Sequence, residues 1–199
     1  MIGTQMISKG HHFPGVNLVG VLYAEEGLNY PDFRSAERTF RQLTQVAGRS
    51  GRGGTAGEVV VQTFMPEHYV FEYLKCHDYD GFMSEELRVR KQLGYPPYSR
   101  VVLASLSGRD QILLHRVIER WTGELRTRMA AAGDVAILGP APPLVPRVKN
   151  RYREQVLIKG KISSERKALA IDLFKHTQNS EKGARAIELR WDVDPESFV

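Results

Sequence analysis

The sequence predicts a two-part α/β chain. An α/β segment built on a parallel sheet comes first, and an α+β domain with split β-α-β-β-α-β order follows. Three observations predict it. Val16-Asn17-Leu18-Val19-Gly20-Val21-Leu22-Tyr23 is a nearly continuous apolar run, the pattern of a strand buried on both faces of a parallel sheet. An amphipathic helical stripe follows it directly. After Pro96-Pro97 the pattern changes to strands rich in β-branched residues, alternating with two long helical stripes.

In chain order, Asp32 after Pro31 suits a helix N-cap. Phe33, Ala36, Phe40, Leu43 and Ala47 recur every three or four residues and draw one helical face. Gly48 is placed to end that helix in the left-handed conformation. Glu58 to Phe64 reads as a second strand, closed by Pro66. Residues 67–97 form a helical connector. Val70, Tyr73 and Leu74 mark a short helix, and Phe82 to Leu93 a second, stopped by Gly94 and the proline pair. In residues 98–199 the expected strands are Arg100–Leu106, Val135–Leu138, Gln155–Lys159 and Ala186–Val193. The expected helices are Gln111–Met129 and Ser164–His176. The resulting domains are 1–66, 67–97 and 98–199.

Composition excludes several classes. Hydrophobic residues make up 42% and charged residues 26% of 199, as in ordinary globular proteins. No apolar run approaches the ~18 residues of a membrane-spanning helix, and Met1-Ile2-Gly3-Thr4-Gln5 lacks the features of a secretory signal. Cys76 is the only cysteine, so no intrachain disulfide exists, which fits a cytoplasmic location. A structural zinc site needs about four Cys or His ligands at suitable spacing, and none is predicted. The net charge of +5 is compatible with nucleic acid without requiring it.

The chemistry-bearing run is Gln45-Val46-Ala47-Gly48-Arg49-Ser50-Gly51-Arg52, with Arg49 and Arg52 in a glycine-rich break after a helix. Guanidinium groups hold phosphate oxygens in forked, charge-assisted bonds that lysine reproduces poorly. The pattern Q-x-x-G-R-x-G-R resembles motif VI of superfamily-2 helicases, and Gly3-Thr4-Gln5-Met6-Ile7-Ser8-Lys9-Gly10-His11-His12-Phe13-Pro14 resembles motif V. Asp32-Phe33-Arg34-Ser35-Ala36-Glu37-Arg38, Tyr95-Pro96-Pro97-Tyr98, Leu138-Gly139-Pro140 and Trp191-Asp192-Val193-Asp194-Pro195 follow in order. Together they resemble the C-terminal part of the replication-restart helicases of the PriA (primosomal protein N′) family.

That resemblance implies a fold, a function and partners. The first segment is part of the second RecA-like helicase lobe. The last domain is likened to a small-subunit ribosomal protein. The implied function is the C-terminal part of an ATP-dependent 3′-to-5′ DNA helicase that binds branched or stalled replication forks and starts primosome assembly. Arg49 and Arg52, with Gln45 orienting the network, serve the γ-phosphate from across the lobe cleft. Thr4 contacts the tracked strand, and Lys9 and Gly10 couple nucleotide state to grip. The implied cofactors are ATP and Mg²⁺ in the full-length protein; the family's zinc module has no counterpart here. The implied partners are forked and single-stranded DNA, single-strand-binding protein and primosome proteins, at the nucleoid in the cytoplasm.

No G-x-x-x-x-G-K-[ST] run or acidic Walker-B run is present. The chain is therefore expected to be a fragment that does not hydrolyse ATP, and its incomplete lobe to expose apolar surface and favour self-association. Tyr23-Ala24-Glu25 departs from the Asp-Ala-Asp or Asn-Ala-Asp usual in the family after this strand, so no role is carried to it.

A second candidate is Arg147-Val148-Lys149-Asn150-Arg151-Tyr152-Arg153, with four cations, one tyrosine and no acid, in a loop opened by Pro140, Pro142-Pro143 and Pro146. Arg147, Lys149, Arg151 and Arg153 suit phosphates, and Tyr152 suits stacking on a base; the competing reading is a solvated basic hairpin. The alternative function is a non-catalytic nucleic-acid-binding module or adaptor, including an RNA-associated one.

Overall fold

A computed structural model describes residues 16–48, 57–129 and 133–198. Thr4, Lys9, Gly10, Arg49 and Arg52 lie outside the described residues. The chain divides into two compact units, residues 1–89 and 90–199.

In the first unit β1 (Leu18–Val21) pairs in parallel with β2 (Glu58–Val61), Leu18 opposite Glu58 and Val21 opposite Val61. Full burial of β1 was expected, but its residues alternate between exposed and half-buried. Among the described residues it pairs with β2 alone. β1 ends before Tyr23, whose φ of 54° turns the chain into a 3₁₀ turn at Ala24–Gly27. β2 also stops short of the expected Phe64, which is 80% exposed.

Helix α1 (Ser35–Ala47) buries Phe40 and Leu43 from the predicted stripe. Its start corrects the sequence reading. Arg34 occupies the cap position, and Asp32 works from two residues earlier. The Asp32 carboxylate is buried, accepts from the Arg34 N–H at 2.9 Å, and pairs with Arg38 at 3.1 Å. The other end differs too. Gly48 has φ −67°, so it stays right-handed and donates its N–H to Thr44 O at 3.0 Å.

Two helices follow, α2 (Tyr69–Lys75) within this unit and α3 (Tyr79–Leu93), which lies in it up to Val89. Phe40 stacks on Phe82 with ring centres 4.1 Å apart, and Tyr69 on Phe82 at 5.9 Å. The Tyr69 hydroxyl donates to the buried Glu86 carboxylate at 2.6 Å. These rings, with Val70 and Phe71, are the unit's apolar centre.

The second unit holds β3 (Arg100–Gly108), α4 (Gln111–Met129), β4 (Val135–Ala141), β5 (Arg147–Val148), β6 (Arg151–Gly160), α5 (Ser164–Ser180) and β7 (Glu188–Val193). The sheet order β4-β6-β3-β7 is antiparallel throughout. Each strand-helix-strand step therefore leaves one strand's space between its ends, the split arrangement read from the sequence. Both helices bury their apolar stripes against one sheet face. Trp121 is fully buried, donates its indole N–H to Ala170 O at 2.9 Å, and meets the Phe174 ring edge-on at 5.8 Å. Trp191-Asp192-Val193-Asp194-Pro195 extends the ladder. Asp194 accepts from Val101 N–H at 3.1 Å and donates its own N–H to Val101 O at 2.8 Å.

Candidate nucleic-acid interface

The basic run, read as a loop with a hairpin as the competing reading, is a β-hairpin. Arg147 pairs with Tyr152 and Val148 with Arg151, around Lys149 and Asn150. Both turn residues have positive φ, 47° and 65°, as a type I′ turn requires, and asparagine tolerates that conformation best among non-glycine residues. Preceding prolines obscured this strand in the sequence, because they supply no ladder donors. The strap between β4 and β5 is held where Arg153 N–H donates to Pro146 O at 2.8 Å.

The four cations divide into two kinds. Arg151 belongs to the fold. Its guanidinium donates to the Ser107 hydroxyl at 3.2 Å, Ser107 O at 2.9 Å and Ala186 O at 3.2 Å, and pairs with Glu188 at 3.2 Å. Arg147 lies over the Tyr152 ring at 4.9 Å and donates to the Asn150 side-chain oxygen. Tyr152 packs against the apolar centre, so its ring carries Arg147 where the sequence reading had it free for a base. Lys149 and Arg153 make no ion pair among the described residues.

Cations missed in the sequence reading join this end of the sheet. Arg109 follows β3 where Gly108 pairs with Tyr152, and Arg185 sits in the 3₁₀ turn whose Ala186 O accepts from Arg151. Arg190 is opposite Ser105 on β7, with its side chain 82% exposed. They come from segments far apart in sequence, so only strand register reveals the cluster. Two acids lie among them: Glu188 pairs with Arg151 at 3.2 Å, and Asp192 with Arg190 at 3.8 Å.

Elsewhere, charges are spent on structure. Burial holds the Lys159 ammonium below its ordinary pKa; it donates to Leu93 O and lies 4.3 Å over the Tyr95 ring. Burial raises the Glu25 pKa, but hydrogen bonds from its own backbone N–H, the Phe64 N–H and the Thr63 hydroxyl outweigh it and hold the carboxyl low. Glu25 thereby fastens the chain after β2, with Phe64 N–H donating at 3.1 Å. Gln45 is exposed on the last turn of α1. Cys76 is exposed, and no cluster of three or more potential metal-binding side chains exists among the described residues. No helix among them is long and apolar enough to cross a membrane.

Residues 91–196, which include the whole hairpin and its sheet, match the family described as the Primosomal protein N C-terminal domain. The chain belongs to that family. It is 42% identical over 176 residues to the replication restart protein PriA of Bacillus subtilis, covering 88% of this chain and 22% of that protein. It is 38% identical over 198 residues to PriA of Rickettsia felis, covering 100% of this chain and 29% of that one. PriA of Synechocystis is 42% identical over 159 residues, with 80% and 19% covered. The chain thus spans less than a third of the length of these PriA relatives.

Proposed function

We propose that this chain is the C-terminal part of an ATP-dependent 3′-to-5′ DNA helicase that binds branched or stalled replication forks and initiates their restart. The observation that carries the reading is the match along the whole chain to proteins named for replication restart. The cationic hairpin lies inside the matched domain. Residues 1–66 serve as part of the second RecA-like lobe, 67–97 as a connector, and 98–199 as a DNA-binding and primosome domain likened to a small-subunit ribosomal protein.

In this reading ATP and Mg²⁺ are held largely by the rest of the protein, which supplies the phosphate loop. Arg49 and Arg52 stabilise charge on the γ-phosphate, aided by Gln45, as guanidinium groups do in phosphoryl transfer. Thr4, Lys9 and Gly10 couple that event to the tracked strand. Arg147, Lys149 and Arg153 neutralise backbone phosphates, while Arg151 and Tyr152 hold the hairpin in place. Single-strand-binding protein and primosome proteins are the partners.

The test is equilibrium binding of this chain to forked DNA, blunt duplex and structured RNA over a salt series. Fork binding that weakens linearly in log salt, by about 0.7–0.9 per phosphate neutralised, is expected. Preferential binding of RNA, or affinity indifferent to salt, overturns the reading. ATP turnover by this chain alone should stay at background; DNA-stimulated turnover abolished by Arg52→Ala contradicts it.

A further inference from the structure

Residues 144–150 are exposed without a break, although their neighbours are anchored. Pro143 before them is buried, and the Arg151 side chain after them is bound to β3 and to the turn before β7. The strap is stiffened by Pro142, Pro143 and Pro146, each with φ fixed by its ring, and tied down by the Arg153–Pro146 hydrogen bond. A rigid root with a projecting tip is a device for presenting side chains.

Three of the presented side chains are aliphatic. Leu144 is 50% exposed, Val145 51% and Val148 40%. Three aliphatic side chains in five residues gain nothing from water. They are flanked by Lys149 and Arg153, which have no acidic partner among the described residues. An aliphatic ridge beside unpaired cations complements a polyanion that also offers apolar faces, as nucleic acid does where bases are unpaired. Duplex DNA hides those faces in the stack, and proteins that reach them insert aliphatic wedges between base steps. A peptide fits less well, because peptides dock in grooves or along sheet edges, whereas this surface projects.

We infer that the strap and hairpin tip form a wedge at a duplex–single-strand junction, with Leu144, Val145 and Val148 against unstacked bases and Lys149 and Arg153 on the flanking phosphates. This rests on the fork-binding reading above and adds to it the surface that meets the junction.

The experiment compares fluorescence anisotropy of labelled forked DNA and blunt duplex with three proteins: the unaltered chain, Leu144→Ser/Val145→Thr/Val148→Thr, and Lys149→Ala/Arg153→Ala. All the substituted residues lie at the surface or half-exposed, and circular dichroism confirms folding before titration. The aliphatic variant should lose fork affinity by about tenfold, a single factor of ten in binding constant, and keep its duplex affinity and salt slope. A 2-aminopurine placed at the junction should brighten on binding the unaltered chain and stay dim with this variant. The cation variant should weaken both DNAs alike and lower the salt slope by about two. If the cation variant changes nothing, the DNA-binding reading of the hairpin fails. If it weakens binding while the aliphatic variant leaves fork preference intact, the wedge alone fails. Tighter binding of a labelled Asp/Leu-rich peptide than of forked DNA, lost in the aliphatic variant, makes this a peptide site and overturns the wedge.

Discussion

Asp134 and Arg166 join the start of β4 to the first turn of α5 through a forked ion pair, with Nη1 to Oδ2 at 2.9 Å and Nη2 to Oδ1 at 2.8 Å. The hydrogen bonds from Arg166 are the main reason the Asp134 pKa lies below the usual 3.8, ahead of opposing desolvation. A carboxyl whose pKa is lowered by folding stabilises the folded state at pH values above its unfolded pKa, and that contribution fades as pH falls through the folded one. Arg166→Gln should therefore lower the urea midpoint at pH 7. The difference from the unaltered chain should persist down to about pH 4 and shrink below it. Urea unfolding at a series of pH values measures this. A deficit that grows with acid, or one independent of pH, contradicts the assignment. The pair is partly solvated, so the effect belongs to the modest class of surface ion pairs with good geometry.

At the next scale up, α5 shows how local rules fix an element. Gly160 ends β6 at φ +134°, where an added Cβ would lie 2.1 Å from Asp134 O, so only glycine fits. Three residues later the Ser163 hydroxyl accepts from Arg166 N–H at 3.3 Å, capping the helix. Ser163→Ala should cost about 1 kcal/mol of stability, read as a lower thermal midpoint of the second unit, while Ser163→Asp restores most of it. No change in either variant would mean that packing alone holds the first turn. Apolar stripes are why the helices of this unit were legible in the sequence, although the Ser163 cap was not read and α5 runs to Ser180, past the expected His176. Leu114, Val117, Trp121 and Leu125 fall on one buried face, and α4 runs from Gln111 to Met129 as expected. The hairpin was legible only as the competing reading of the basic run, and its strand bounds were not, because β5 is two residues long and the alternation is masked by cations and prolines. Half of the candidate interface was hidden for a different reason. Arg109, Arg185 and Arg190 are ordinary surface arginines until the register of β3, β6 and β7 brings their segments to one end of the sheet.

Over the whole molecule, the two units differ in how their sheets are held. β3 and β6 share nine paired positions from Arg100–Gly160 to Gly108–Tyr152, with a helix-covered face of fully buried side chains. β1 and β2 share four, and Leu18, Leu22, Val60 and Phe64 are exposed around them. A sheet needs about three strands, or a packed helix face, to stand alone. The first unit's helices have that support in the stacked Phe40, Phe82 and Tyr69 rings, whereas the described part of its sheet has little. Backbone amides exchange through local opening, whose free energy follows the buried apolar contacts that must be broken. Hydrogen exchange should therefore rank the segments: β1 and β2 fastest, α1 to α3 slower, and the centres of β3 and β6 slowest. Protection of β1 and β2 equal to that of β3 in a protein shown to be monomeric would mean that the exposed aliphatic side chains are covered within the chain. Equal protection that rises with protein concentration would instead place their cover in a second copy, because association stabilises only the conformation that pairs.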